Sequence, residues 1–166
     1  MHERLLQRAR MLARVDPHRP RQANLRGAVS SACYALFHLL VSEAAERFVQ
    51  HEEMASRIAR LYNHGEMRKV CAHFADDRLP RGIRPVGTYT INADVRAVAE
   101  AFVRLQDARH LADYDPNRNY HRGGALGNFL LAEQAFEAWG RARRSDDARL
   151  LLACFLLWER WDRDPR

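Results

Sequence analysis

The stretch "LRGAVSSACYALFHLLVSEAAERF", Leu25 to Phe48, decides the fold. Leu25, Ala28, Ala32, Ala35, Leu36, Leu39, Leu40, Ala44 and Phe48 recur at intervals of three and four, the spacing of one face of an α-helix. Carried to about Gln50, the stripe predicts a helix of roughly seven turns, the central helix of a bundle.

The same period continues on both sides. Leu5, Leu6, Ala9, Leu12 and Val15 form one stripe before "DPHRP", Asp16 to Pro20, which stops the first helix. From Glu52 to about Asp77 the pattern is helical again, with Gly65 kinking it or splitting it in two. Arg78 to Ile91 has two prolines, two glycines and little periodicity, and is expected to be a surface loop. Asn92 offers an N-cap to a helix running to about Asp113. Pro116, Gly123 and Gly124 mark a connection, a further helix is expected over 125–143, and Ser145 caps a last one whose first turn carries two acids. Strand-like alternation is almost absent. The expected fold is all-α: a single-domain bundle of five to six helices over 1–166, with 160–166 expected to be disordered.

Composition bounds the function. At 47% hydrophobic and 29% charged residues the chain has the make-up of an ordinary globular protein. Its net charge of +6 and pI near 9.8 suit a phosphate-rich partner such as RNA or a nucleotide. Only Lys69 among the 27 basic residues is lysine, and with abundant alanine this looks more like coding bias than a designed patch. Cys33, Cys71 and Cys154 are widely spaced in apolar surroundings, which argues against a disulfide framework or zinc knuckle and for a reducing cytoplasm. The longest uninterrupted apolar runs fall far short of the roughly 20 residues that cross a bilayer, so no membrane is expected. The Arg-rich start resembles a transit peptide superficially, but Glu3, Asp16 and the lack of serine assign it to the first helix.

The segment "LADYDPNRNYH", Leu111 to His121, poses the sharpest chemical question. A carboxylate at a helix C-terminus opposes the macrodipole at a cost of about 0.3–1 kcal/mol. Arg109 can pair with Asp113 four residues on, but in the weaker orientation, and a surface pair contributes well under 1 kcal/mol. Asp113 is therefore expected to accept hydrogen bonds from an arginine of the central helix or from loop N–H groups, either as a latch or as part of a site. Tyr34 and His38 share a face of the central helix, as a core pair or as the lining of a polar pocket. His64 and Cys71 share a helical face but His73 points about 160° away from Cys71, so no metal site is expected. Cys33 has no activating cation adjacent.

Taken together, "LRGAVSSACYALFHLL", "HGEMRKVCAHF" and "ARHLADYD" resemble the HEPN superfamily, in particular a branch with a "YYA.FH" helix, an "H.G" turn and an "R..ADY" element. Tyr34, Ala35, Phe37 and His38 match the first. His64 matches the second loosely, since Gly65 follows it directly. Arg109, Ala112, Asp113 and Tyr114 match the third. The resemblance spans roughly Leu5 to Trp139. It implies a helical bundle, usually a homodimer, of prokaryotic toxin–antitoxin or phage-defence systems, binding RNA, a nucleotide or a partner protein and needing no cofactor.

In many members it implies metal-independent RNase activity, with an Arg and a following His separated by four to six intervening residues and two copies meeting across the dimer. Three pairs fit that spacing here: Arg104 with His110 is the first choice, Arg57 with His64 the second, and Arg68 with His73 a third. With so many arginines, chance supplies as many such pairs. Ile58 and Leu105 follow two of the arginines where the family prefers a polar residue. In that chemistry a His moves the proton at the ribose 2′-OH and an Arg stabilises the phosphorane. The rival expectation is a non-catalytic module whose "YALFH" and "ADY" elements only fasten helices while an exposed face docks a partner protein.

Overall fold

The computed structural model describes residues 1–84 and 88–163. Among them are α1 (His2–Arg14), α2 (Gln22–Phe48), α3 (Glu52–Ala59), α4 (His64–Ala75), α5 (Ala93–Tyr114), α6 (Arg122–Ala142) and α7 (Asp146–Trp161), a short 3-10 turn at Arg81–Ile83, and no strand. The all-α expectation holds, with seven helices in place of five to six.

The extra helix comes from the 52–77 stretch. The chain leaves α3 at Arg60, and Asn63 adopts an extended conformation whose Oδ1 accepts the N–H of Glu66 at 2.9 Å. An asparagine N-cap makes the break. Gly65 lies inside the first turn of α4 and neither kinks nor splits it.

α6 begins three residues earlier than its periodicity predicts. His121 Nδ1 accepts the N–H of Gly124 at 3.0 Å, so the two glycines form the first turn of the helix rather than a loop. A Cβ at either glycine would come within 3.3 Å of the His121 ring. At the other two junctions the caps are those expected: Asn92 Oδ1 accepts from Asp94 and Ser145 Oγ accepts from Ala148. Of the expected loop, Pro85, Val86 and Gly87 lie outside the described residues, as do 164–166 of the expected disordered tail. Residues 160 and 161 of that tail belong to α7. Asp77 turns the chain into the loop at φ 57°, and its Oδ1 accepts the N–H of Ile91 at 2.6 Å.

The chain divides into two units, and α2, α5 and α6 each contribute a segment to both. The first comprises Met1–Leu39 and Ala101–Glu137. Its core joins Ala13 of α1, Leu25, Ala28 and Val29 of α2, Ala112 of α5 and Ala125 of α6. Small side chains let the helices approach closely: a Cβ on Gly27 would stand 3.2 Å from Cδ1 of Leu12. α1 buries Ala9 and Ala13 and exposes Arg4, Arg8, Arg10 and Arg14. Arg4 with Arg8 and Arg10 with Arg14 are like-charge pairs four residues apart, each costing about 0.2–0.5 kcal/mol.

The second unit comprises Leu40–Glu100 and Ala138–Arg166. Met67 and Phe74 of α4, Trp139 of α6, and Leu151 and Leu152 of α7 fill its core with Leu40 and Ile91. Arg143 pairs with Glu43 at 2.7 Å, and Arg47 donates to the Arg143 carbonyl at 2.8 Å, just past the end of α6.

Counting uninterrupted apolar runs understates α2. At 27 residues it is long and apolar enough, by length and composition alone, to cross a membrane. In this fold 72% of its most apolar window is buried, as the core helix of a bundle requires.

Candidate functional site at the end of α5

α5 ends because of Pro116. Its last intrahelical bond of this type runs from Asp115 N–H to the Leu111 carbonyl, and the next carbonyl, that of Ala112, would need an N–H that proline lacks. Arg26 of α2 supplies the missing donor. Its Nη1 donates to Ala112 O at 2.8 Å, and its Nη2 donates to Arg118 O at 2.7 Å and Pro116 O at 3.3 Å. A cation thus sits on the negative end of the α5 dipole.

This arrangement answers the question posed by Asp113. One carboxylate oxygen, Oδ1, accepts the hydroxyl of Ser30 at 2.6 Å, and the other lies 2.6 Å from Arg109 Nε. The central helix does reach Asp113, through a serine; its arginine serves the carbonyls one turn away. Arg109 in turn lies over the Tyr34 ring, 5.2 Å from the centroid. Burial works against the Arg109 charge, but Tyr34 and Asp113 together hold its pKa above the ordinary value. The loop after α5 is fastened too. Gln22 donates to Tyr120 O and accepts from Tyr120 N–H, both at 2.8 Å, and the Tyr120 ring lies near both Arg26 (5.3 Å) and Arg118 (5.7 Å).

Beside this latch is an open groove bordered by Gln22, Arg26, Asp113, Tyr114, Pro116 and Asn119. Tyr114 is 67% exposed and packs its ring 5.0 Å from that of His110. The groove thus offers an aromatic face and amide groups, with the His110 imidazole packed against Tyr114. The guanidinium groups of Arg26 and Arg109 beside it are engaged in the latch.

The other predicted residues are distributed more widely. His38 lies two turns beyond Ser30 on α2, half-buried between Tyr34 (rings 6.4 Å, stacked) and Phe37 (5.2 Å, edge-on). Burial, then the N-terminal amine and His2, holds its pKa below the ordinary 6.5. Arg104 and His110 are both exposed on the uninterrupted α5, so the two side chains leave the helix about 120° apart. Arg57 and His64 lie on separate helices, because the break at 60–63 puts them on α3 and α4. Arg57 pairs with Glu53 at 2.8 Å. His73 stacks on Trp158 at 4.4 Å, Cys71 is fully buried, and no group of three or more His, Cys, Asp or Glu side chains suited to a metal occurs among the described residues. Burial pushes the Cys33 thiol up to about 12, and its Sγ donates to Gln106 Oε1 at 3.2 Å.

Sequence reasoning missed Arg26, Ser30, Gln22 and Tyr120. Two signals pointed to them. Arg26, Ser30, Tyr34 and His38 repeat every four residues as a half-buried polar column on an otherwise apolar helix, and Pro116 marks the Ala112 carbonyl as the one needing an outside donor.

No family model matches the chain, and no curated protein or solved structure is significantly similar to it.

Proposed function

We propose that this chain is a HEPN-like helical protein of a toxin–antitoxin or phage-defence system, working in the cytoplasm as a homodimer, that binds RNA or a nucleotide in the groove at the end of α5. The observation that carries the reading is Tyr114, two-thirds exposed on a groove of mixed polar and apolar lining and backed by the His110 ring. An exposed aromatic with hydrogen-bonding neighbours suits the stacking of an unpaired base. Catalysis does not follow from the geometry of one chain, because Arg104 and His110 diverge on α5 and Arg57 and His64 lie on separate helices. An Arg/His site would have to be completed by a second copy, for which Arg104 and His110 are both exposed.

The test is incubation of the purified protein with a mixed RNA pool in EDTA, beside His110→Ala, His64→Ala and Tyr114→Ala. Binding without cleavage, weakened at least tenfold by Tyr114→Ala, supports the groove. Cleavage lost in one histidine variant makes the protein a metal-independent RNase. Binding unchanged by Tyr114→Ala removes the groove reading.

A second reading has its own observation. Arg26, Ser30 and Gln22 all make bonds that join α2 to the end of α5 and the loop after it. That is what a non-catalytic module with a partner-docking face requires. Absence of RNA and nucleotide binding, together with a stable complex with a neighbouring antitoxin-type protein, favours it.

A further inference from the structure

The positive charge of this protein is not spread evenly. Residues 1–21 hold six arginines against Glu3 and Asp16, a net +4 out of +6 for the whole chain, so the remaining 145 residues carry only +2. A coding bias toward arginine would raise arginine everywhere; it would not collect the imbalance in one helix and the turn after it.

The structure says how that charge is displayed. On α1 the buried side is Ala9 and Ala13, with Leu12 against the core. Arg4, Arg8 and Arg14 lie opposite, within an arc of about 120°, and all three are exposed. Among the described residues none of the three has an ion-pair partner. Asp16, the nearer acid in sequence to Arg14, is engaged by the Asn24 side chain at 2.7 Å and the Arg21 N–H at 3.2 Å, and these bonds hold its carboxyl below the usual range. Arg4 sits at the helix N-terminal end, where a cation is unfavourable, and repels Arg8 one turn away. The outer face of α1 therefore carries self-repelling, unneutralised charge that a polyanion would relieve.

We infer that the Arg4, Arg8 and Arg14 face of α1 docks the phosphate backbone of RNA. Arginine presents a planar fork of donors matched to phosphate oxygens, and the three residues span about 15 Å of helix axis. An anionic membrane is the weaker partner, because a helix that lies in a bilayer surface needs a broad free apolar face, whereas Ala9, Leu12 and Ala13 of α1 are turned to the core and Met1, Met11 and Val15 are left as isolated exposed apolar side chains. The inference goes beyond the α5 groove and uses none of its residues.

The experiment is fluorescence anisotropy of a labelled 20-nucleotide single-stranded RNA at salt concentrations between 50 and 200 mM. The proteins are wild type, Arg4→Gln/Arg8→Gln/Arg14→Gln, the same positions changed to lysine, and a control with Arg60→Gln/Arg144→Gln/Arg160→Gln. Each phosphate contact contributes about 0.7 to the slope of log affinity against log salt, so the α1 glutamine variant should show a slope shallower by about 2. The lysine variant should keep the slope, and the control should match wild type. Equal losses in the control and the α1 variant, no RNA binding by wild type at 50 mM salt, or α1-dependent binding to vesicles with 30% anionic lipid in place of RNA would each overturn the inference. Tyr114→Ala separates the two sites: it should weaken binding at every salt concentration and leave the slope unchanged.

Discussion

Replacing Arg26 by methionine isolates the latch, since methionine keeps the aliphatic stem and the helix propensity and removes only the guanidinium. Three hydrogen bonds are lost, two of them short, to the carbonyls of Ala112 at 2.8 Å and Arg118 at 2.7 Å. Net contributions of hydrogen bonds to charged groups are about 1.5–3 kcal/mol. The Ala112 carbonyl belongs to a buried residue and, with Pro116 following, has no backbone substitute; it takes about 2 kcal/mol of that range. The Arg118 carbonyl is exposed and water can replace the donor, so about 0.5 kcal/mol is assigned to it. Loss of the cation beside Tyr120 adds about 0.5 kcal/mol. The expected destabilisation is about 3 kcal/mol, a large part of the 5–15 kcal/mol typical of a folded protein. At this chain length it corresponds to a fall in Tm of about 6–12 °C. Urea unfolding followed by far-UV circular dichroism reads it directly, with Arg104→Met, an exposed arginine on the same helix as the orphaned carbonyl, expected to stay within about 0.5 kcal/mol of wild type. A loss below about 1 kcal/mol for Arg26→Met would refute the reasoning, because the end of α5 would then be held by something other than Arg26.

Gly82→Ala places a Cβ 2.6 Å from the Trp161 carbonyl oxygen, a backbone atom with little room to yield, and should cost about 1–3 kcal/mol in the same urea assay. His38 and His73 are both held below the ordinary pKa of 6.5, mainly by burial, so the folded state binds fewer protons than the unfolded one. Their contribution is present above pH 6.5 and is lost as the pH falls through the lowered values. Stability should therefore drop on acidification, and His38→Gln should flatten that part of the profile. Burial pushes the thiols of Cys33 and Cys154 up to about 12 and that of Cys71 higher still. A thiol reagent at pH 8 should label none of the three in the native protein and all three in urea; rapid native labelling would contradict the packing.

The helices were legible because an apolar stripe is a long-range average: one ambiguous residue in the Leu25–Phe48 run does not disturb its period. Boundaries were less so, because they depend on single caps. Asn63 looks unremarkable inside a periodic segment, yet its Oδ1 starts a new helix and separates Arg57 from His64. Similarly, the glycines after His121 suggest a loop until the imbidazole nitrogen's bond to Gly124 identifies them as a first turn. The candidate site was half legible. Asp113 drew attention because it opposes a helix dipole, and its need for an outside donor followed from electrostatics alone. Which donor it finds depends on how α2 passes α5, and periodicity carries no such information, so Ser30 could not be told from Arg26.

The arginines of α2 give the fold a consistent logic. Arg26, near its start, donates to carbonyls at the end of α5, and Arg47, in its last turn, donates to the carbonyl just past the end of α6. Each places a guanidinium where a helix exposes unsatisfied acceptors and the negative end of its dipole. Arginine can do this where lysine serves less well, because its forked donors reach two or three carbonyls at once. A chain with 27 basic residues thus uses them in separable ways. Arg26 and Arg47 are fasteners whose charge is spent inside the protein, and Arg109 is neutralised by Asp113. Arg4, Arg8 and Arg14 have neither role and stand together on one face of α1, so their charge remains available, as a group, to an external partner.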